Sequence, residues 1–306
     1  MSSDASSAAP HTALNPTIDT ALNPALNPAL HPALHRFALD YVVPRVPANT
    51  AGEAAGGEMT DRAPGPDSAT LLREACERNR MDVRAIDGSG HTLIFAGVVV
   101  GGLEGRVTTL VRAYGRAVSD DAAATREHLK ARKLPLPAEG EDPSTTLPVE
   151  VFVVAGTAVS AIVRVPAMTV TAAAEISAQG TTTEQAGAER AGAEQAPSSG
   201  TPSDARGADH GAEPRDQRWS TGLAVDVFDA VGKDVLALAV DAAQAVPGIG
   251  AGAVRLNVPE LHSAAKASIE ALVVDADIAA HERPDVGTGR GVSEAIAQQI
   301  LEHASK

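Results

Sequence analysis

A four-residue unit ending in proline punctuates the start of the chain. Ala-Leu-Asn-Pro stands at Ala13–Pro16, Ala21–Pro24 and Ala25–Pro28, and Ala-Leu-His-Pro at Ala29–Pro32. A proline in every turn removes a helical hydrogen bond and clashes with the preceding turn, and a leucine every fourth residue lines no strand face. Residues 1–66 are therefore expected to be a disordered Ala/Pro-rich tail, either a slipped repeat or a Pro-rich docking ligand. Within it, Phe37–Pro47 is more apolar and suits an arm packed on the domain. A second low-complexity stretch, 177–218, carries Ala-Gly-Ala-Glu-Arg at 186–190 and Ala-Gly-Ala-Glu-Gln at 191–195, then a run rich in Ser, Pro, Gly and Asp. Almost nothing in it is apolar and larger than alanine, so it has little burial to offset its ordering entropy. It reads as an insertion between two strands, tolerated because loop closure costs grow only logarithmically with length.

The chain has 306 residues, 44% of them apolar, enough for a core. One Trp, two Tyr and four Phe argue against recognition of nucleic acid by stacking. The net charge of −14 repels phosphate backbones and anionic lipid at long range, so neither nucleic acid nor membrane is an expected partner, whereas a local basic cleft for a small anion is compatible with it. Cys76 is the sole cysteine and lies among Leu71, Leu72 and Ala75 at helical spacing, which suits a small core residue better than a nucleophile. The longest apolar run, Thr92–Leu103, is short for a membrane span, and the N-terminus has neither a cationic start nor an apolar signal core; a cytoplasmic location is the expectation.

Elsewhere, secondary-structure signals alternate. Asp67 caps a helix to about Asn79. Met81–Ile86 and Thr92–Val100 read as two strands joined by Asp87-Gly-Ser-Gly. Ser119-Asp-Asp starts a helix to about Lys133, stopped by Pro135 and Pro137. Val149–Val154 and Ala158–Val165 flank Ala155-Gly156, a hairpin signal, and a further strand is expected at Met168–Ala172. Past the insertion come a strand at Leu223–Phe228, a helix at Val231–Ala245, strands at Gly252–Val258 and Ala271–Asp275, and a helix at Val292–His303. The expected class is α+β, with an α/β N-terminal part over 67–137 and a second subdomain made of 138–176 and 219–306.

Five segments in this order resemble ATP-grasp carboxylate–amine ligases, in particular the ATP-grasp part of cyanophycin synthetase and its relatives. His281-Glu-Arg-Pro-Asp-Val-Gly-Thr-Gly-Arg290-Gly-Val292 is similar to the family's His-x-x-Pro-x-x-Gly-x-x-Arg-x-Val run. Ser220–Asp229, Ala253–Leu261, the hairpin Val151–Ala167 and the helix from Ala117 to the Leu134-Pro-Leu-Pro segment resemble the corresponding family stretches. The resemblance implies an ATP-grasp-like fold binding ATP and magnesium between two subdomains. It also implies phosphorylation of a carboxylate and attack by an amine, with an amino acid or peptide as ligand. Carried over residue by residue, Arg164 would face the triphosphate, unless it is a salt-bridged strand residue. His281 and Arg290 would contact a substrate carboxylate, unless they pin the last loop.

The family pattern is also broken. Arg255 stands where the family has a metal-binding Asp, Glu150 where it has an Arg, Asp121 where it has a Lys, and Val273 where it has the Glu of its second metal motif. Asp275 and Glu260 are the remaining candidate magnesium ligands. Only Ala138–Pro148 separate Pro137 from the hairpin strand, where relatives carry most of the subdomain that covers ATP. The sequence thus predicts a degenerate, non-catalytic binding or regulatory protein lacking part of its nucleotide-binding half. The alternatives are an active ligase, completed across a homo-oligomer interface, and a scaffold working through the Pro-rich tail.

Overall fold

A computed structural model describes residues 31–46, 65–166, 169–171, 173–174, 219 and 222–305. The Ala-Leu-Asn-Pro repeats and the 177–218 stretch, apart from the end of the last repeat at His31–Pro32, lie outside these residues. The first described element corrects the expected extent of the tail. Helix α1, Pro32–Phe37, continues through a π-helical turn, Ala38–Val42, and a 3-10 turn, Val43–Arg45. Pro32 sits in the first helical turn, where its missing N–H costs nothing, and no further proline intervenes until Pro44. Leu34, Phe37, Ala38 and Val42 are buried in the main core.

Asp67 caps helix α2, Ser68–Arg78, through a hydrogen bond from Thr70 N–H at 2.7 Å. Strands β1 (Asp82–Ala85), β2 (Gly90–Phe95), β3 (Val98–Glu104) and β4 (Val107–Thr108) then form an antiparallel sheet in sequential order. The single strand expected over Thr92–Val100 is two strands. Ala96 and Gly97 both take positive φ, 51° and 82°, and turn the chain back. With antiparallel pairing throughout, 67–137 is an α+β segment rather than an α/β one. The helix expected from Ser119 to Lys133 is present, and a further short helix precedes it. Helix α3, Ala113–Ser119, is followed by α4, Ala122–Ala131, because the Asp121 carboxylate accepts from Ala123 N–H at 2.8 Å and Ala124 N–H at 3.1 Å and opens a new helix.

Residues 137–146 hold one 3-10 turn, Pro143–Thr145, before the second sheet begins. Strands β5 (Leu147–Val154) and β6 (Thr157–Val165) form a hairpin across Ala155-Gly156. The described residues between 169 and 174 are helical, not the expected strand; Pro166 presets a helical φ and its carbonyl accepts from Thr169 N–H at 2.9 Å. After β7 (Leu223–Asp226) come helix α5 (Lys233–Ala245), β8 (Ala251–Val258), β9 (Ser268–Val273), α6 (Ile278–Glu282) and α7 (Val292–Ala304). The sheet order is β7-β6-β5-β8-β9, and every neighbouring pair is antiparallel.

Alternation along β5 assigns the two faces. Val149, Val151 and Val153 pack with Val163, Leu256 and Ile269 under α5 and the α1 arm. Phe152 and Val154 point the other way, onto α7 through Ile296 and Ile300, α2 through Leu72 and Cys76, and the small sheet through Leu93 and Leu103. This second core joins residues on both sides of position 137, so α2 and α7 form a shared layer between the two sheets. Polar residues occupy the remainder of that second face.

Candidate functional site

Glu150 projects from the middle of β5 on the same side as Phe152, and the ladder sets it directly opposite Arg255 of β8. Arg255 Nε donates to Glu150 Oε2 at 3.0 Å. The other carboxylate oxygen, Oε1, lies 3.3 Å from His281 Nε2, and His281 Nδ1 lies 2.8 Å from Ser160 Oγ on β6. An ionised carboxylate only accepts, so Nε2 carries a proton here, while Nδ1 and the Ser160 hydroxyl share the second hydrogen bond. Burial raises the Glu150 carboxyl's pKa, but the hydrogen bond and charge of His281, joined by those of Arg255, outweigh it and hold the group below its ordinary value. Phe152 meets the imidazole edge-on at 5.5 Å, and the Arg255 guanidinium lies 5.2 Å over the Trp219 ring. Trp219 Nε1 in turn donates to Glu270 at 3.4 Å. Ser160, His281 and Glu150 stand in the order of a hydrolytic triad. Ser160 and His281 are nevertheless 0% exposed and Glu150 3%, so no substrate reaches them. The arrangement is a closed, mutually neutralised polar core.

Arg164 lies further along β6 on the same face. It is 9% exposed, and its Nη2 approaches Asp277 Oδ2 at 3.4 Å. Asp277 is otherwise engaged at its first oxygen, which accepts from Ser68 Oγ at 2.8 Å and caps α6 through Ala279 N–H. Arg164 Nε has no hydrogen-bond partner among the described residues. Of the five expected site residues, this is the one with an unused buried donor.

Arg290 is engaged differently. Its guanidinium forks onto Asp226 through Nε at 3.2 Å and Nη2 at 2.8 Å, and Nη2 also reaches Asp229 at 2.7 Å. These bonds push its pKa further up. Thr288 N–H donates to the same Asp226 carboxylate, and Gly287, at φ 101°, packs where a Cβ would fall 2.7 Å from Asp226 Cβ. The side chains of His281 and Arg290 are both engaged by protein partners, and Arg290 N–H donates to His281 O at 2.9 Å. The two candidate magnesium ligands are not brought together. Glu260 follows the end of β8, whereas Asp275 lies beyond Val273, which pairs with Ala253 near the start of β8. At 3.3 Å per residue this separates them by roughly 20 Å. Among the described residues, no three His, Cys, Asp or Glu side chains come together in an arrangement that could hold a metal ion. The donor set does not fit a magnesium centre.

Sequence reasoning missed Ser160, Trp219 and the partnership of Glu150 with Arg255. The signal was available for Glu150, a charge within the otherwise apolar Leu147–Val154, because a buried carboxylate demands partners.

No family model matches the chain, and no curated protein does. Among the solved structures that match is a bifunctional glutathione synthetase from Pasteurella multocida, with a TM-score of 0.52 and 13% sequence identity, covering 77% of this chain and 43% of that one. The chain thus spans less than half the length of that structure. The likeness establishes an α+β, ATP-grasp-like fold. Among the described residues, no helix is long and apolar enough to cross a membrane.

Proposed function

We propose that the chain is a degenerate ATP-grasp protein, related to the carboxylate–amine ligases and closest to the cyanophycin synthetase branch, that works in the cytoplasm by binding or regulation rather than catalysis. The observation that carries this reading is the Glu150–Arg255 pair. The sequence departs from the family pattern at both positions, with Glu for Arg and Arg for Asp, and the two residues face each other across one ladder step at 3.0 Å. The departures therefore read as a single exchange of sign that keeps a buried ion pair while removing a carboxylate from the metal position and a cation from the phosphate position. Such a paired change supports a fold maintained after loss of the original chemistry. The short 137–146 connection, with one 3-10 turn, supports the same reading, since it leaves no room there for a phosphate-covering subdomain.

Arg164 favours a second reading, residual ATP binding by an active ligase, because its buried Nε is available to a phosphate oxygen. ADP release separates the two. Purified protein with magnesium, ATP and mixed amino-acid or dipeptide acceptors is expected to release ADP at the buffer rate. Acceptor-dependent release that disappears in Arg164→Gln would overturn the non-catalytic reading.

A further inference from the structure

A cavity of about 370 Å³ opens at the far end of the five-stranded sheet, away from the Glu150 cluster. It borders Ala155 in the β5–β6 turn, five residues along the strand direction from Glu150, or roughly 17 Å. Its walls come from four chain segments, of which three are laced together by their backbones and the fourth is helix α7. Arg112 N–H donates to Gly248 O at 2.8 Å, Gly250 N–H to Leu110 O at 2.9 Å, and Ala155 N–H to Gly250 O at 2.8 Å. Gly115 packs so closely on this loop that a Cβ there would fall 2.7 Å from Gly248 C. The concavity is therefore preformed and within the size range of small-molecule sites, about 300–1,000 Å³.

Its chemistry is unlike that of the rest of the molecule. The chain carries 39 Asp and Glu against 25 Lys and Arg, yet no carboxylate lines this cavity. Arg112, His303, Gln299 and Thr109 do, and Leu110 and Ile249 add an apolar wall. Among the described residues, no side-chain hydrogen bond or ion pair engages Arg112, Gln299 or His303. A guanidinium with free donors beside hydrocarbon suits a carboxylate held by the fork while an aliphatic body lies on Leu110 and Ile249. In a molecule of net charge −14, an anion needs such a local cation to bind.

We propose that this cavity is a binding site for a small aliphatic carboxylate, with Arg112 holding the anion, Gln299 and His303 supplying further donors, and Leu110 and Ile249 contacting the chain. The site is independent of the polar core around Glu150 and of any role for ATP.

Titration of the full chain with butyrate and with its neutral counterpart butyramide, followed by amide chemical shifts, tests it. Butyrate is expected to bind saturably and to shift Gly248, Gly250 and Gln299, with butyramide at least about tenfold weaker, the scale of one charge-assisted hydrogen bond. Arg112→Gln is expected to weaken butyrate by a similar factor with the melting temperature unchanged, because the side chain is exposed and unpaired; His303→Asn should weaken it by less. Three results would overturn the proposal: no saturable binding at millimolar butyrate, equal binding of butyramide, or unchanged affinity in Arg112→Gln.

Discussion

Glu150 shows how one buried charge organises its surroundings. Its two oxygens are divided between Arg255 and His281, and His281 passes the chain of hydrogen bonds to Ser160. Removing the charge leaves a guanidinium with only part of its compensation in a largely desolvated position. Glu150→Gln is therefore expected to cost about 3 kcal/mol, the lower end of values for broken buried pairs, because Arg255 keeps some solvent contact. The sign of the pH dependence follows from the lowered pKa. Stability from this carboxylate is complete above its ordinary value of 4.5 and is lost as pH falls through the lower folded value. Melting curves of wild type and Glu150→Gln should therefore differ most near neutrality and converge in acid; a gap that widens in acid would contradict the assignment. Cys76 gives a simpler check. Burial is the main cause pushing its thiol up to about 12, so alkylation at pH 8 should be negligible in the folded protein and complete in guanidinium chloride.

At the scale of elements, the α1 arm anchors the start of the described chain to the main core. Phe37 is 6% exposed and belongs to the main core, whereas the Arg36–Asp40 pair beside it is open to solvent. Phe37→Ala should destabilise by about 3 kcal/mol in denaturant unfolding, and Arg36→Ala should leave the unfolding midpoint where it is. The β2–β3 turn offers a test of backbone conformation alone. A Cβ at Gly97 would meet nothing within 4 Å, but φ is 82°, so Gly97→Ala should cost about 1 kcal/mol without any clash. The same turn marks the limit of what could be read from sequence. Ala155-Gly156 was legible because alternating apolar strands flank it, while the chemically identical Ala96-Gly97 was hidden inside a continuous apolar run whose strands leave Val98 and Val99 exposed. The arm was legible in part: Phe37–Pro47 stands out as apolar, but the helical start at Pro32 does not, because composition averaged over 1–66 obscures the point where the repeats stop. The site was legible only by position. Glu150 and Arg255 could each be picked out as departures from a family pattern, but their pairing depends on register between strands about a hundred residues apart, which no local signal carries.

At the scale of the whole molecule, two antiparallel sheets share a layer made by α2 and α7, and the face that remains polar is occupied by its own charges. Glu150 with Arg255 and His281, Arg290 with Asp226 and Asp229, and Arg164 with Asp277 take up its charges, and the buried Arg164 Nε is left without a partner among the described residues. A polar face neutralised from within offers little to a magnesium–triphosphate complex, which needs carboxylates for the metal and cations for the phosphates at close range. On the function proposed above, the fold persists while this capacity has gone. Calorimetric titration of ATP into the full chain, once with magnesium and once with EDTA, tests it most directly. No magnesium-dependent heat is expected from a protein that melts cooperatively in the same buffer. Saturable ATP binding that requires magnesium would contradict it and would place a working nucleotide site on the face bearing Arg164.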